Sequence, residues 1–294
     1  MFKKRSIALA ITIALMVTLL APMPVMAASG GGPLVKTVKQ YRYNTVSKKW
    51  EIQSKTQYTY NKAYPTQVDT TSYLAETKSP YKYKYKMKKG KPKSAKVTNP
   101  LGVKSTSLKY NKKGLRTKYS YKDYYKREKE NRTYKYNKNG FVTSQTYSYK
   151  YKYQSGTKYE TETNKYYYKY SYTMSKGLPK KMISSYAYDY GSGRQESTLR
   201  REVKYNKKGL ITSISYLYAD GSISPEYKVS YKTKKGKVTA ATVYDVDYNG
   251  KKTPYRKISF GYTKTKVAKA RYANMINSCV AGATTVSAGA YNWF

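Results

Sequence analysis

The heptapeptide Tyr-x-Tyr-Asn-x-x-Gly recurs along this chain and limits its fold more than any other feature. It is complete in Tyr134-Lys135-Tyr136-Asn137-Lys138-Asn139-Gly140, which runs on into Phe141-Val142-Thr143-Ser144. Close copies are Val203-Lys204-Tyr205-Asn206-Lys207-Lys208-Gly209 and Leu108-Lys109-Tyr110-Asn111-Lys112-Lys113-Gly114. Looser copies end at Gly90, Gly177 and Gly236, so that the six glycines lie 24, 26, 37, 32 and 27 residues apart. A unit of that size holds about two strands and two turns. Such a repeated unit marks a repeat architecture, not a compact enzyme domain.

The residues between the motifs alternate with period two. Tyr81-Lys82-Tyr83-Lys84-Tyr85-Lys86-Met87 and Tyr147-Ser148-Tyr149-Lys150-Tyr151-Lys152-Tyr153 are the clearest runs, and Tyr166, Tyr168, Tyr170, Tyr172 and Met174 continue the pattern. Strict alternation predicts strands with one Tyr face and one Lys/Ser/Thr face. The Asn-Lys-Lys-Gly step supplies the turn: Asn and Lys suit a type I turn, and Gly accepts the left-handed conformation after it. Gly156, Gly191-Ser192-Gly193, Asp220-Gly221 and Asn249-Gly250 punctuate the opposite turns. The expected fold is all-β: an antiparallel meander of repeated β-hairpins over roughly 34–272, in an open extended or curled sheet.

The motif resembles the YD-repeat, or RHS-like, family of secreted bacterial proteins in the units ending at Gly114, Gly140 and Gly209, and more loosely at Gly90, Gly177 and Gly236. The resemblance implies long β-sheets built from Tyr-rich hairpins. No toxin domain follows here, and Asn stands where the family commonly has Asp.

Three segments are expected: a signal peptide at 1–27, a Tyr/Lys-rich repeat domain at 28–272 and an uncharged tail at 273–294. Lys3, Lys4 and Arg5 precede the apolar run Ile7–Ala21, and Val25-Met26-Ala27 offers small residues for cleavage. The apolar run is shorter than the roughly 20 residues of a spanning helix, so no transmembrane span is expected after signal removal. The expected location is secreted or cell-wall associated. From Tyr272 to Phe294 there is no charge; a closing strand, a self-associating β-prone segment or a tail docked through Tyr291, Trp293 and Phe294 would each suit it.

Charge bounds the partners. Three of the 59 basic residues lie in the leader, which leaves 56 against 15 acidic ones, a formal charge of +41. Such a surplus favours polyanions. The motif turns concentrate it in Lys88, Lys89, Lys112, Lys113, Lys138, Lys176, Lys207, Lys208, Lys234 and Lys235, while the first acid after each motif glycine from Gly114 onward comes 9 to 20 residues later. A nine-residue strand spans roughly 30 Å, so the sequence predicts a lysine ridge along one sheet edge and carboxylates near the other. The partner expected is an anionic cell-wall polymer or acidic polysaccharide, with Gly90, Gly114, Gly140, Gly177, Gly209 and Gly236 holding the turns. Nucleic acid is disfavoured because Arg is scarce and the chain is exported. Solubility alone would also account for edge lysines.

Tyr is preferred over Phe. The chain has 40 Tyr, all beyond residue 27, while Leu, Ile, Val and Phe together make up only 34 of the 267 residues there. The phenol or its amphipathic ring must therefore matter, as core, as a sugar-stacking platform or as a nucleic-acid stack. Cys279 is alone and there is no His, which excludes intrachain disulfides, His-based triads and imidazole ligands. No catalytic group, metal site or cofactor is expected. The spacing of Asp245 with Asp247 and of Glu160 with Glu162 puts each pair on one strand face, as a glycan hydrolase would need, although lysine-rich surroundings should keep them ionised. Self-assembly through open sheet edges is the structural alternative.

Overall fold

The first strand pairs with the last, and this pairing defines the molecule. The computed structural model describes residues 32–123 and 127–284. Its wall contains β1 (Gly32–Asn44), β2 (Lys49–Asn61), β3 (Tyr64–Ser72), β4 (Thr77–Lys88), β5 (Lys91–Thr98), β6 (Thr106–Tyr110), β7 (Arg116–Lys122) and β8 (Glu128–Tyr136). It continues through β9 (Val142–Ser155), β10 (Lys158–Ser175), β11 (Leu178–Asp189), β13 (Arg200–Tyr205), β14 (Ile211–Leu217), β15 (Ile223–Lys234), β16 (Lys237–Val246) and β17 (Lys252–Val267). A two-residue strand, β12 (Gln195–Glu196), pairs only with β11, which also pairs directly with β13. Each wall strand is antiparallel to its neighbours, and β1 meets β17 with Val38 opposite Phe260 and Gln40 opposite Ile258.

The hairpin meander is therefore present, but the open or curled sheet is not: sixteen strands close into a barrel. The motif specifies how each strand meets its neighbour. Whether the ends of the sheet meet depends on twist accumulated over every strand, which no single repeat encodes. Closure also removes the two long edges on which self-assembly by edge pairing rested.

The alternation sorts as expected. Tyr83 and Tyr85 lie opposite Val97 and Ala95 on the inner face, while Lys82, Lys84 and Lys86 are exposed outside. Leu108, Tyr119, Tyr134, Tyr170, Val203, Ile214, Val229 and Ile258 extend the buried inner face around the barrel.

The motif turns all lie at one end. At Asn111, Asn137 and Asn206 the side-chain oxygen accepts two backbone N–H groups, two and four residues on. Asn111 Oδ1, for example, accepts from Lys113 at 2.9 Å and Leu115 at 3.0 Å. Gly114 N then donates to Asn111 O at 2.9 Å with Gly114 at φ +77°, which is the type I turn with a left-handed glycine. The looser copies turn more tightly. Lys88 pairs directly with Lys91, and Lys89 and Gly90 both take positive φ, a two-residue type I′ geometry. Lys176-Gly177 and Lys235-Gly236 do the same.

In several hairpins a tyrosine near the motif turn has a specific task. Tyr136 donates its hydroxyl to Arg116 O, at the start of the preceding hairpin's return strand. Tyr172 reaches Val142 O (3.0 Å), Tyr231 reaches Ile211 O (2.8 Å), Tyr262 reaches Val238 O and Tyr60 reaches Val35 O (2.7 Å). Each latch satisfies a carbonyl near the rim, where the ladder is interrupted by a bulge. Phe could fill the space but not donate, which explains the choice of Tyr at these positions.

The last described element is α1 (Lys269–Gly282), a helix where a closing strand or a self-associating β-prone segment was among the expectations for the tail. Ala270, Ala273, Met275 and Ala281 favour a helix. It shows no amphipathic period because residues on every side are buried, among them Arg271, Asn274, Ile276, Asn277 and Val280. Arg271 donates to Ala63 O in the β2–β3 turn, the Tyr272 hydroxyl accepts from Val238 N at 2.8 Å, and Asn277 accepts from Ile211 N at 2.9 Å while donating to Gly209 O at 2.8 Å. The helix thus ties hairpins from separate parts of the wall together across the motif end. The leader at 1–27 and Tyr291, Trp293 and Phe294 lie outside the described residues.

Candidate functional site

Three surfaces come out of this architecture: a lysine crown, a lysine-bearing outer wall and an aromatic mouth. The crown consists of the motif turns. Lys88, Lys89, Lys112, Lys113, Lys138, Lys176, Lys207, Lys208, Lys234 and Lys235 are all exposed there, and all six motif glycines have φ between 72° and 85°. Because the sheet closes, these turns form a ring, not the straight ridge expected. Neighbouring hairpins are two strands apart, so successive turns are spaced by roughly 10 Å. Among the described residues none of these ten ammonium groups has a carboxylate within 4 Å. The lysine ion pairs are Lys165–Asp189, Lys181–Glu202 and Lys204–Glu202.

The outer wall extends the crown's charge along the barrel. Lys82, Lys84, Lys118, Lys129, Lys150 and Lys169 point outward between Ser and Thr. Among the described residues no helix is long and apolar enough to cross a membrane, a statement that does not bear on β-barrels. The barrel wall can be judged by its own chemistry. A strand crossing a bilayer presents an apolar band to lipid, and each Lys at the midplane costs about 2–4 kcal/mol. Here the tyrosines and aliphatics line the inside, and the charges face out.

Four arginines behave differently, which no local pattern announces, while Arg42, Arg127, Arg194 and Arg200 are exposed. Arg116, Arg132 and Arg271 are buried within the barrel, and Arg201 is nearly so. Arg132 lies 4.9 Å from the ring centre of Tyr147, Arg116 lies 4.8 Å from that of Tyr134 and Arg201 lies 4.9 Å from that of Tyr216. The weakly hydrated guanidinium tolerates an aromatic interior that would penalise a strongly hydrated ammonium. Burial pushes Arg271 down to about 10, against the pull of Tyr60 and Tyr64. Arg132 is held protonated by Glu130, with which it forms a buried ion pair.

The carboxylates gather toward the other end, the mouth. Glu226 lies in the lumen between Arg201 (3.2 Å) and the Tyr216 hydroxyl (3.4 Å), and burial raises its pKa even with Arg201 pulling it down. Asp245 faces inward opposite Tyr227 and lines a cavity of about 470 Å³ with Arg42, Glu51, Gln53, Thr253 and Tyr255. Asp247 does not share that position. Its side chain accepts from Asn249 N and Lys251 N and shapes the turn. Glu160 and Glu162 do share a face, and they accept hydrogen bonds from Tyr153 (2.7 Å) and Tyr151.

The mouth is also where Tyr rings lie uncovered. Tyr153 is 41% exposed and Tyr190 51% exposed, whereas Tyr83, Tyr119 and Tyr134 at deeper levels are buried. Apolar side chains at the loop tips, Val46, Leu74, Leu101 and Tyr248, are exposed around the same end. Cys279 belongs to the helix at the opposite end. Burial pushes its thiol up to about 12, although part of the side chain remains accessible.

No protein-family model and no curated protein matches this chain. Among solved structures it is similar to a porin-like protein from Bacteroides uniformis ATCC 8492, with 12% identity and a TM-score of 0.44 over 79% of this chain and 99% of that one. A porin-like protein from Bacteroides vulgatus ATCC 8482 matches at 11% identity and a TM-score of 0.34 over 79% of this chain and 100% of that one. The structure of TcdB2-TccC3 without its hypervariable C-terminal region matches at 10% identity and a TM-score of 0.28, over 68% of this chain and 11% of that one. The YD-repeat assignment does not survive: no family model supports it, and a closed barrel replaces the open repeat sheet it implied. The motif describes a local hairpin with a glycine turn and a latch tyrosine, which unrelated sheets can share.

Proposed function

We propose that this protein is an exported, non-catalytic surface protein that holds an anionic cell-wall polymer or acidic polysaccharide against its lysine-covered exterior. The observation that carries this reading is the sorting of charge. The lysines occupy the crown and outer wall with few carboxylate partners, while the buried arginines and most acids are inside or at the mouth. A rigid closed wall holds its charges at fixed spacing, so binding costs little ordering of the protein. Lys is a mobile point charge without a bidentate fork, which suits a polymer of repeated anions more than a single shaped ligand. The outward lysines support a place at the cell surface outside the lipid.

The test is retention of the chain from residue 28 on purified cell wall, with and without its anionic polymer, over a salt series. The reading requires retention that disappears when the polymer is stripped and falls steeply toward high salt, where the screening length shrinks to about 3 Å at 1 M. Replacing Lys112, Lys113, Lys207 and Lys208 together by Glu should weaken it further. Retention unaffected by salt, or by removing the polymer, would overturn the reading.

A further inference from the structure

The mouth contains an aromatic wall that the lysine reading does not use, and we propose that it is a binding site for a neutral oligosaccharide. Strand β10, with 18 residues, is the longest in the barrel, and it forms a hairpin with the 14-residue β9. Beyond Lys152 on β9 and before Lys165 on β10 they pair, among the described residues, only with each other, so this hairpin overhangs the rim. Its inward face carries Tyr149, Tyr151 and Tyr153 in one file, with ring centres 5.5 Å and 6.0 Å apart. Tyr166, Tyr188 and Tyr190 continue the surface across β10 and β11, with Tyr166 to Tyr190 at 5.8 Å and Tyr188 to Tyr190 at 5.1 Å. The rings become more accessible toward the rim, so the wall leads from solvent into the lumen.

The polar groups set into this wall select the ligand class. Tyr151 and Tyr153 donate to Glu162 and Glu160, which leaves those carboxylates with further acceptor sites, and among the described residues no ammonium lies within 4 Å of them. The Asn164 oxygen, directly opposite Tyr149, has no hydrogen-bond partner. Flat apolar faces beside a row of fixed acceptors fit a molecule with apolar C–H faces and many hydroxyl donors. Glu160 and Glu162 repel an acidic polymer, and the chain's overall positive charge repels a cation. A neutral sugar chain meets neither penalty. Its binding should therefore survive salt that abolishes polyanion binding, so the two proposals can fail separately.

The experiment uses the chain from residue 28 and two probes, the neutral tetrasaccharides of glucose and of N-acetylglucosamine. Binding is read by intrinsic tyrosine fluorescence and by calorimetry at about 0.15 M and about 1 M salt. At least one probe should bind with an affinity that changes less than about threefold between the two salts. Tyr153→Ala combined with Tyr190→Ala should weaken it by roughly tenfold or more, since each removes a stacking face. Both side chains are at the exposed rim, and far-UV circular dichroism with an unchanged urea midpoint checks that the barrel is intact. Lys112→Glu with Lys113→Glu, at the far end, should leave sugar binding unchanged. Failure of both probes to bind, loss of binding at high salt, or indifference to the tyrosine substitutions would each overturn the proposal.

Discussion

The two ends of this barrel are built from the same hairpins yet differ in almost every physical respect. At the motif end the turns are set by Asn or by Lys-Gly, the hydroxyls of Tyr60, Tyr136, Tyr172, Tyr231 and Tyr262 latch their strands to backbone carbonyls near the rim, and α1 crosses the lumen with all sides buried. At the mouth the turns vary in length and chemistry, the lumen carries Arg201, Glu226, Asp245 and Tyr151, and ring faces remain open to solvent. One end is made rigid by repetition and a plug; the other is freed from that constraint and carries the diversity. Repetition serves the stabilising end because every unit must solve the same rim problem, an interrupted ladder beside a bulge. Variation collects at the end where no such rule applies, as it does in loops carried on rigid scaffolds.

The sharpest way to break this contrast is through the helix. Asn277→Leu removes the donor to Gly209 O and the acceptor for Ile211 N in a buried site, and should cost about 3 kcal/mol in urea unfolding, since each group stranded without a partner costs about 1–3 kcal/mol. A loss below about 1 kcal/mol would mean the helix contributes little to this end. Gly209→Val comes next. Gly209 sits at φ +72°, and an added Cβ would lie 3.2 Å from a Leu178 methyl group, so the same measurement should show a loss of about 2 kcal/mol. Gly250→Val, at φ +78° with nothing within 4 Å, isolates the backbone part of that cost at the mouth and should be the milder of the two.

Tyr231→Phe tests the latch alone. It keeps the ring and deletes one hydroxyl bonded to Ile211 O, for an expected loss of about 1 kcal/mol. An unchanged midpoint would reduce the latch to coincidence. Tyr153→Ala at the exposed rim should move stability by no more than about 0.5 kcal/mol, because nothing is buried behind it.

The smallest effect concerns pH. Burial raises the Glu226 pKa above its ordinary value of 4.5. A carboxyl raised in the folded state binds its proton more tightly there. Its contribution is thus most favourable below the unfolded pKa and is lost as pH rises through the folded one. Glu226→Gln should flatten the urea midpoint between pH 4 and pH 7, whatever offset it causes at both. A slope identical to that of the parent would show that Glu226 is ordinary in the fold.

Much of this was legible from the chain. Alternation in Tyr81–Met87 and Tyr147–Tyr153 placed the strands and their faces, and the Asn-x-x-Gly steps placed the turns, because both are properties of a few consecutive residues. The shift of acids away from the motif glycines foretold a lysine end and an acid end. The candidate lysines were visible for the same reason, although their arrangement in a ring was not. The raised acid Glu226 escaped notice because its environment comes from Arg201 and Tyr216, far away in sequence. The helix escaped because a segment buried on every side has no polar face to give it a period.

What the sequence determined by itself, then, is the hairpin: its turn, its two faces, the preference for Tyr over Phe and the separation of charge along its length. These are local quantities, set by steric limits on φ and ψ and by side chains within one or two turns of each other. Only the tertiary structure decided that β1 meets β17, that the ridge becomes a crown, that Arg116, Arg132 and Arg271 are buried while the motif lysines stay out and that Asn277 completes a hairpin nearly seventy residues away. Those outcomes depend on the summed twist of the whole wall and on which groups closure deprives of water, and no window of the sequence contains either.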